Sequence, residues 1–259
     1  MPLEPSAALL TGRVAVVTGA AVGIGEAIAL AFANFGAHLA ICDRDVANLD
    51  GTAEAIEAAG RRVVAAEIDV REANQVEGFL GVVQEQFDHV DVLVNNAGGG
   101  FHASFLDVNA KGQDSLVREN FVSVTNFIRG VVPLIPDTGG SILNLTSIEA
   151  HRAAPGYAVY SAMKAAVANL SKTLALELGD RMIRVNCIAP DVIPTPGIGV
   201  DLPTTSPLPR RGHVDDVAAA AVYLAGDLGR FVTGTTIHVD GGNLAAGGWK
   251  RAGDGSFTT

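Results

Sequence analysis

Two hydrophobic patterns alternate along the chain. Short runs rich in Val, Ile and Ala are followed by longer segments whose apolar residues recur at helical spacing. Residues 13–18 read as a strand, and residues 25–35 as a helix that stops at Gly36, a residue suited to a helix C-terminus. Residues 38–42 form a second strand, followed by a helix over 46–59 that ends at Gly60. Segments 62–68 and 73–87 repeat the strand–helix pair, and 90–94 supply a fourth strand. A long helical stretch over 115–134 precedes a fifth strand at 141–145. A helix at 157–178, a sixth strand at 183–188, a helix at 214–224 and a last strand at 236–239 complete the series. Such alternation, with strands apolar on both faces, predicts a doubly wound α/β fold: a parallel sheet of about seven strands with helices on both faces. No composition break or polar linker divides the 259 residues, so one domain is expected over 1–259. The least regular segment, 191–212, is rich in Pro, Gly and Thr and reads as a substrate lid within that domain.

Composition narrows the partners. The formal net charge of -10 disfavours nucleic acid, whose binding rests on Lys and Arg neutralising phosphates. Cys42 and Cys187 fall in strand-like runs and read as buried free thiols. The histidines, His38, His89, His102, His151, His213 and His238, lack metal-ligand spacing, so no metal is expected. Residues 1–10 carry Glu4 and no basic stretch, unlike a signal peptide, and no run of about 18 apolar residues suggests a membrane span. A cytoplasmic protein acting on a small molecule, with no membrane partner, is the resulting expectation.

Candidate chemistry gathers at strand ends. The first strand runs into Thr18-Gly19-Ala20-Ala21-Val22-Gly23-Ile24-Gly25, and a helix follows. Glycines suit a sharp turn beside a pyrophosphate, and the helix N-terminus offers free N–H groups to its oxygens. The spacing departs from the commoner Gly-x-Gly-x-x-Gly, but its place between first strand and first helix supports a dinucleotide site. Asp43 ends the second strand, where a carboxylate accepts hydrogen bonds from the adenosine ribose. It would repel the 2′-phosphate of NADP, at a cost on the order of 4 kcal/mol per like-charge pair about 4 Å apart. NAD is therefore expected, with NADP left as the alternative because the neighbouring Arg44 can screen a phosphate.

A second cluster suits proton transfer. Tyr160 and Lys164 stand four apart, one turn apart on a single helix face. An ammonium alongside favours the phenolate, so the pKa of Tyr160 is expected to fall and its hydroxyl to serve as general acid or base. Tyr157 lacks such a lysine, because Ser161 stands four beyond it. Upstream, Asn144-Leu145-Thr146-Ser147 places hydroxyls at the end of the fifth strand, where Ser147 is suited to hold a substrate oxygen.

Together Thr18-Gly19-x-x-x-Gly23-Ile24-Gly25, Asn95-Asn96-Ala97-Gly98, Ser147 and Tyr160-x-x-x-Lys164 resemble the short-chain dehydrogenases/reductases over nearly the whole chain, and the framework resembles their 3-oxoacyl-thioester reductase-like branch. The resemblance implies hydride transfer between NAD(H) and a secondary alcohol or ketone, with Asn120, Ser147, Tyr160 and Lys164 as the catalytic set. It implies that Asn120 is a structural and proton-relay residue and that Lys164 also holds the nicotinamide ribose. Gly19, Val22, Gly23, Ile24, Gly25, Asp43 and Arg44 would bind the cofactor. Asp69 and Val70 would meet the adenine, with Asn96, Ala97 and Gly98 on the adenosine side of the cleft. The segment Pro190-Asp191-Val192-Ile193-Pro194-Thr195 resembles the family's Pro-Gly-x-x-x-Thr, so Ile193 and Thr195 would bind the carboxamide, with Pro190 also among the cofactor-binding residues; Asp191 departs from the usual Gly. Homotetramers, less often homodimers, are the family's habit. Apolar Ile198, Val200 and Leu202 in the lid suggest a partly hydrophobic substrate, such as a hydroxyacyl thioester or a steroid. The alternatives are an NADPH-dependent 3-oxoacyl-thioester reductase of biosynthesis and, more remotely, a non-catalytic dinucleotide-binding regulator. His151 and Arg152 either border the substrate or face solvent. Arg210 and Arg211 read as a helix entry rather than an anion site. The Gly-rich tail with Trp249 is either frayed or docked on a neighbouring subunit.

Overall fold

The computed structural model describes residues 3–199, 201, 204, 206–252 and 256–258. Seven strands, β1 (Val14–Thr18), β2 (His38–Asp43), β3 (Val63–Glu67), β4 (Val92–Asn95), β5 (Gly140–Leu145), β6 (Ile183–Pro190) and β7 (Thr236–Val239), form one sheet. Its order is β3-β2-β1-β4-β5-β6-β7, and every pairing is parallel. Every residue of β1 and β4 is buried, as expected of strands covered on both faces, whereas β3 at the sheet edge leaves Glu67 exposed.

Three helices cover each face. On one, α1 (Gly23–Asn34), α2 (Val46–Ala58) and α7 (Val214–Ala225) bury Ile28, Phe32, Leu49, Ile56, Val217 and Leu224 against the strands. On the other, α3 (Ala73–Phe87), α5 (Ser123–Val131) and α6 (Ala158–Glu177) bury Phe79, Val83, Phe127, Ile128 and Val167. After β1 the chain steps outward to β2 and β3, then returns to place β4 on the other side of β1. The connections leaving β1 and β4 therefore diverge, and a crevice opens between them beyond the strand ends.

The expected helix over 115–134 is a broken one. It begins earlier, as α4 (Ala110–Val117), passes through a π-helical turn at Arg118–Val122, and resumes as α5. Asn120 sits in this wide turn. Its Nδ2 donates to the Leu116 carbonyl at 3.0 Å, and Ser123 Oγ donates to the Glu119 carbonyl at 2.6 Å. Side chains that bond carbonyls four residues back compete with the helical ladder, and π turns recur at functional sites.

The tail carries a short helix, α8 (Asn243–Ala246), and a two-stranded antiparallel ribbon of β8 (Lys250–Arg251) with β9 (Phe257–Thr258). Arg210 Nη1 and Nη2 donate to Asp216 at 2.7 and 2.8 Å, pinning the entry to α7, where His213 and Asp216 form a reciprocal cap. Cys42 and Cys187 are buried free thiols. Of the lid residues singled out in the sequence, Ile198 is exposed, while Val200 and Leu202 lie outside the described residues. No helix of the described residues is long and apolar enough to cross a membrane.

Candidate active site

Beyond the C-terminal ends of β1, β2, β4, β5 and β6 lies a cavity of about 340 Å³. One end is formed by the β1–α1 turn. Gly19 there has φ +67°, and a Cβ on it would stand 2.9 Å from both the Ala97 Cα and Asn96 Nδ2. The turn is locked to the β4 loop. Asn96 Nδ2 donates to the carbonyls of Thr18 (3.0 Å) and Gly19 (2.9 Å), and Thr18 Oγ1 accepts from the N–H groups of Asn96 and Ala97, both at 3.0 Å. Val22 begins α1 without a capping side chain, although Glu26 reaches back to accept from the Gly23 N–H at 3.2 Å. The other N–H groups of the first turn have no intrahelical partner. Gly19, Val22, Gly23 and Ile24 of this turn line the cavity, an arrangement that fits a pyrophosphate.

At the same end Asp43 lines the cavity. Its carboxylate accepts from the backbone N–H groups of Ala21 (3.0 Å), Arg44 (2.6 Å) and Asp45 (3.1 Å), so its position is fixed before any ligand arrives. Arg44, Val70, Asn96, Ala97 and Gly98 line the cavity too. Asp69 does not. Arg71 Nε donates to both its carboxylate oxygens, at 2.9 and 3.0 Å, turning the side chain to its own loop and holding its pKa below the ordinary carboxylate value.

The opposite end carries Leu145, Thr146, Ser147, Tyr160, Lys164, Pro190, Asp191 and Thr195. Ser147 Oγ accepts from the Glu149 N–H at 3.2 Å, and the Ser147 side chain favours the ionised form of the Tyr160 phenol beside it in the cavity lining. Buried Lys164 donates to the Leu145 carbonyl at 2.9 Å, and its Nζ stands 5.6 Å from the centre of the Tyr160 ring. Gly98 makes room for this: a Cβ there would approach Asn120 Oδ1 at 2.8 Å and Lys164 Nζ at 3.0 Å. Asn120 is fully buried behind the cavity. It donates from Nδ2 to the Gly99 carbonyl at 2.8 Å, and its Oδ1 accepts from the Gly99 N–H at 3.2 Å.

Electrostatics correct one expectation. The pKa of Tyr160 is raised, not lowered: burial dominates, the Ser147 side chain acts against it, and the Glu149 carboxylate adds to the rise. Burial also pulls Lys164 down, to about 8. The ammonium is directed at the Leu145 carbonyl and is itself poorly solvated, so without a bound cofactor it does not offset the desolvation of the phenol.

Three further expected residues do not reach the cavity with their side chains. Gly25 lies beneath it, packed against the Gly19 carbonyl. Asn120 lies behind it, as above. Ile193 is buried in the core and packs beside Gly212, lining a second cavity instead. Conversely Ile68, Glu119 and Gly197 line the first cavity without having been singled out. Nothing local marks them: an apolar strand end, one charge in a helical run, and a loop glycine are common features. Arg152 donates to Glu149 at 2.8 Å and stands 3.8 Å from Asp191, so it borders the catalytic end, whereas His151 stacks edge-on with His238 at 4.8 Å. Asp191 is held from the other side by Asn243 Nδ2, at 2.6 Å.

Comparison with known proteins agrees with this geometry. A family model described as enoyl-(acyl carrier protein) reductase matches residues 19–243. A 3-oxoacyl-[acyl-carrier-protein] reductase of Thermotoga maritima is 36% identical over 242 residues, 90% of this chain and 98% of that one. Among solved structures, a putative short-chain alcohol dehydrogenase from Sinorhizobium meliloti is 34% identical, with a TM-score of 0.86 over 92% of this chain and 98% of that one. A 7α-hydroxysteroid dehydrogenase, complexed with NADH and 7-oxo glycochenodeoxycholic acid, is 29% identical, with a TM-score of 0.88 over 93% of this chain and 98% of that one. The chain belongs to the short-chain dehydrogenase/reductase family and is an NAD(P)-dependent oxidoreductase that acts on CH–OH groups.

Proposed function

We propose that the chain is one catalytic domain that oxidises a secondary alcohol with NAD, taking the alcohol proton on Tyr160. One observation carries the reading: a single cavity has the glycine turn and Asp43 at one end and Ser147, Tyr160 and Lys164 at the other. The first end suits a pyrophosphate and an unphosphorylated ribose. The second suits proton exchange with an oxygen held beside the ring that gives or accepts the hydride. NAD, when bound, supplies the hydride acceptor.

The chain's own residues divide the remaining work. Gly19, Val22, Gly23 and Ile24 receive the phosphates, and Gly25 lets α1 sit close beneath them. Asp43 accepts from the ribose hydroxyls, while Val70, Asn96, Ala97 and Gly98 form the adenosine wall. Pro190 and Thr195 bound the nicotinamide end. Ser147 orients the substrate oxygen and Tyr160 takes its proton. Lys164 holds the nicotinamide ribose and favours the phenolate. Asn120 fixes the β4 loop through Gly99 and relays protons behind Lys164. The segment 191–212 serves as the lid, and exposed Val192 and Ile198 suit a partly hydrophobic substrate. A cytoplasmic homotetramer is the assembly this reading expects; the buried free thiols are compatible with a reducing compartment.

The similarity to a 3-oxoacyl-[acyl-carrier-protein] reductase favours one rival, reduction of a 3-oxoacyl thioester by NADPH. Initial rates separate the two. With NAD, 3-hydroxyacyl thioesters and hydroxysteroids are expected to yield NADH, at kcat/KM at least about tenfold above that for NADPH-driven reduction of a 3-oxoacyl thioester. The reverse order would make the protein a biosynthetic reductase.

A further inference from the structure

The guanidinium of Arg44 is engaged. Arg44 follows Asp43 at the end of β2 and is the cation nearest in sequence to the expected ribose site. Its Nη2 donates to Glu119 Oε1 at 3.3 Å. Glu119 comes from the π-helical turn, 75 residues further along the chain, and both side chains line the cavity. The pair therefore bridges from the β2 end to the turn before α5 at the adenosine end. Arg71, on the loop after β3, is held as well, by the Asp69 carboxylate. A 2′-phosphate arriving beside Asp43 would meet the fixed Asp43 carboxylate, a second carboxylate at Glu119, and a guanidinium already paired with that carboxylate.

We propose that Glu119 is a cofactor-specificity residue: by holding Arg44 across the adenosine end of the cavity, it denies the 2′-phosphate of NADP the cation that lines that end among the described residues. Glu119 acts through Arg44 and is therefore a positioning residue. The inference rests on the proposed dinucleotide site and extends it, because the preference for NAD then depends on two carboxylates, one of them on a distant element. Asp43 repels the phosphate directly. Glu119 withholds its counter-ion.

The test is fluorescence titration of NADH and NADPH into the wild-type protein, Glu119→Gln, Arg44→Ala and the double variant. Gln keeps the shape of Glu119 and removes the charge that holds Arg44. Glu119→Gln is expected to tighten NADPH about fivefold, the size of one exposed ion pair, and to change NADH by less than about twofold. In the Arg44→Ala background the same substitution is expected to have less than about a third of that effect on NADPH, since no guanidinium remains to be freed. The gain should shrink as salt is raised, because the released contact is electrostatic and exposed. Equal changes for both nucleotides would mean that Glu119 merely supports the fold of the turn, and would overturn the proposal. So would a gain that persists undiminished without Arg44, which would reduce Glu119 to simple repulsion. The wild-type preference is read separately: a wild-type protein that prefers NADPH would refute the NAD reading, while the change on Glu119→Gln still decides the role of Glu119.

Discussion

Tyr160→Phe lowers kcat by about three orders of magnitude and leaves the Kd for NADH within about twofold of the wild type. The substitution removes one oxygen, the only atom of the ring suited to take a proton from the substrate. The cofactor end of the cavity, with Gly19, Asp43 and Asn96 held by backbone bonds, is untouched. The pH profile gives the sign. Burial raises the pKa of Tyr160 in the free protein, so its proton is retained through neutral pH and the oxidation rate climbs as pH rises towards that ionisation. A positive nicotinamide ring beside the phenol would shift the climb to lower pH without reversing it. The variant should show low residual turnover without this climb. Single-turnover formation of NADH, followed by absorbance alongside a binding titration, reads both quantities. A variant with near-normal turnover would remove Tyr160 from the reaction.

Gly25→Ala is expected to cost at least about 2 kcal/mol of stability and to weaken NADH about a hundredfold. Its Cβ would fall 2.0 Å from the Gly19 carbonyl oxygen and 2.5 Å from Asn96 Nδ2. Neither atom can yield cheaply. Asn96 Nδ2 joins the carbonyls of Thr18 and Gly19, so relieving the overlap breaks the clasp between the β1 and β4 loops and moves the turn that faces the phosphates. Gly78→Ala is the control. It lies inside α3 with nothing within 4 Å of the new carbon, and should be neutral or stabilising by up to about 1 kcal/mol. Urea unfolding of both variants, with NADH titration, separates a steric effect at the turn from a general intolerance of Ala for Gly. A Gly25→Ala protein that matches the Gly78→Ala protein in both would show that the turn has slack.

Much of this architecture is legible in the sequence because it depends on local pattern. The apolar runs at 13–18 and 183–188 recur as buried strands, and the glycine turn and Asp43 fall at strand ends that the topology then gathers. Where expectation and structure part, the cause lies in contacts that no pattern announces. The helix around Asn120 widens into a π turn, where the Asn120 and Ser123 side chains reach for carbonyls four residues back. Arg71 turns Asp69 away from the cavity. Ile193 sinks into the core below Gly212 instead of facing the nicotinamide end. Spacing places Lys164 one turn from Tyr160 but says nothing of the Leu145 carbonyl that claims its ammonium, nor of the burial that raises the phenol. Glu119 reads as one charge among many until the fold sets it against Arg44.

Fluorescence titration of the wild-type protein with NADH and with NADPH tests the assignment of the cavity and of Asp43 together. Saturable binding of NADH, at least about tenfold tighter than that of NADPH, is the expected result, since a 2′-phosphate would be forced against a carboxylate already fixed by three N–H groups. Tighter binding of NADPH, or no saturable binding of either nucleotide, would contradict it.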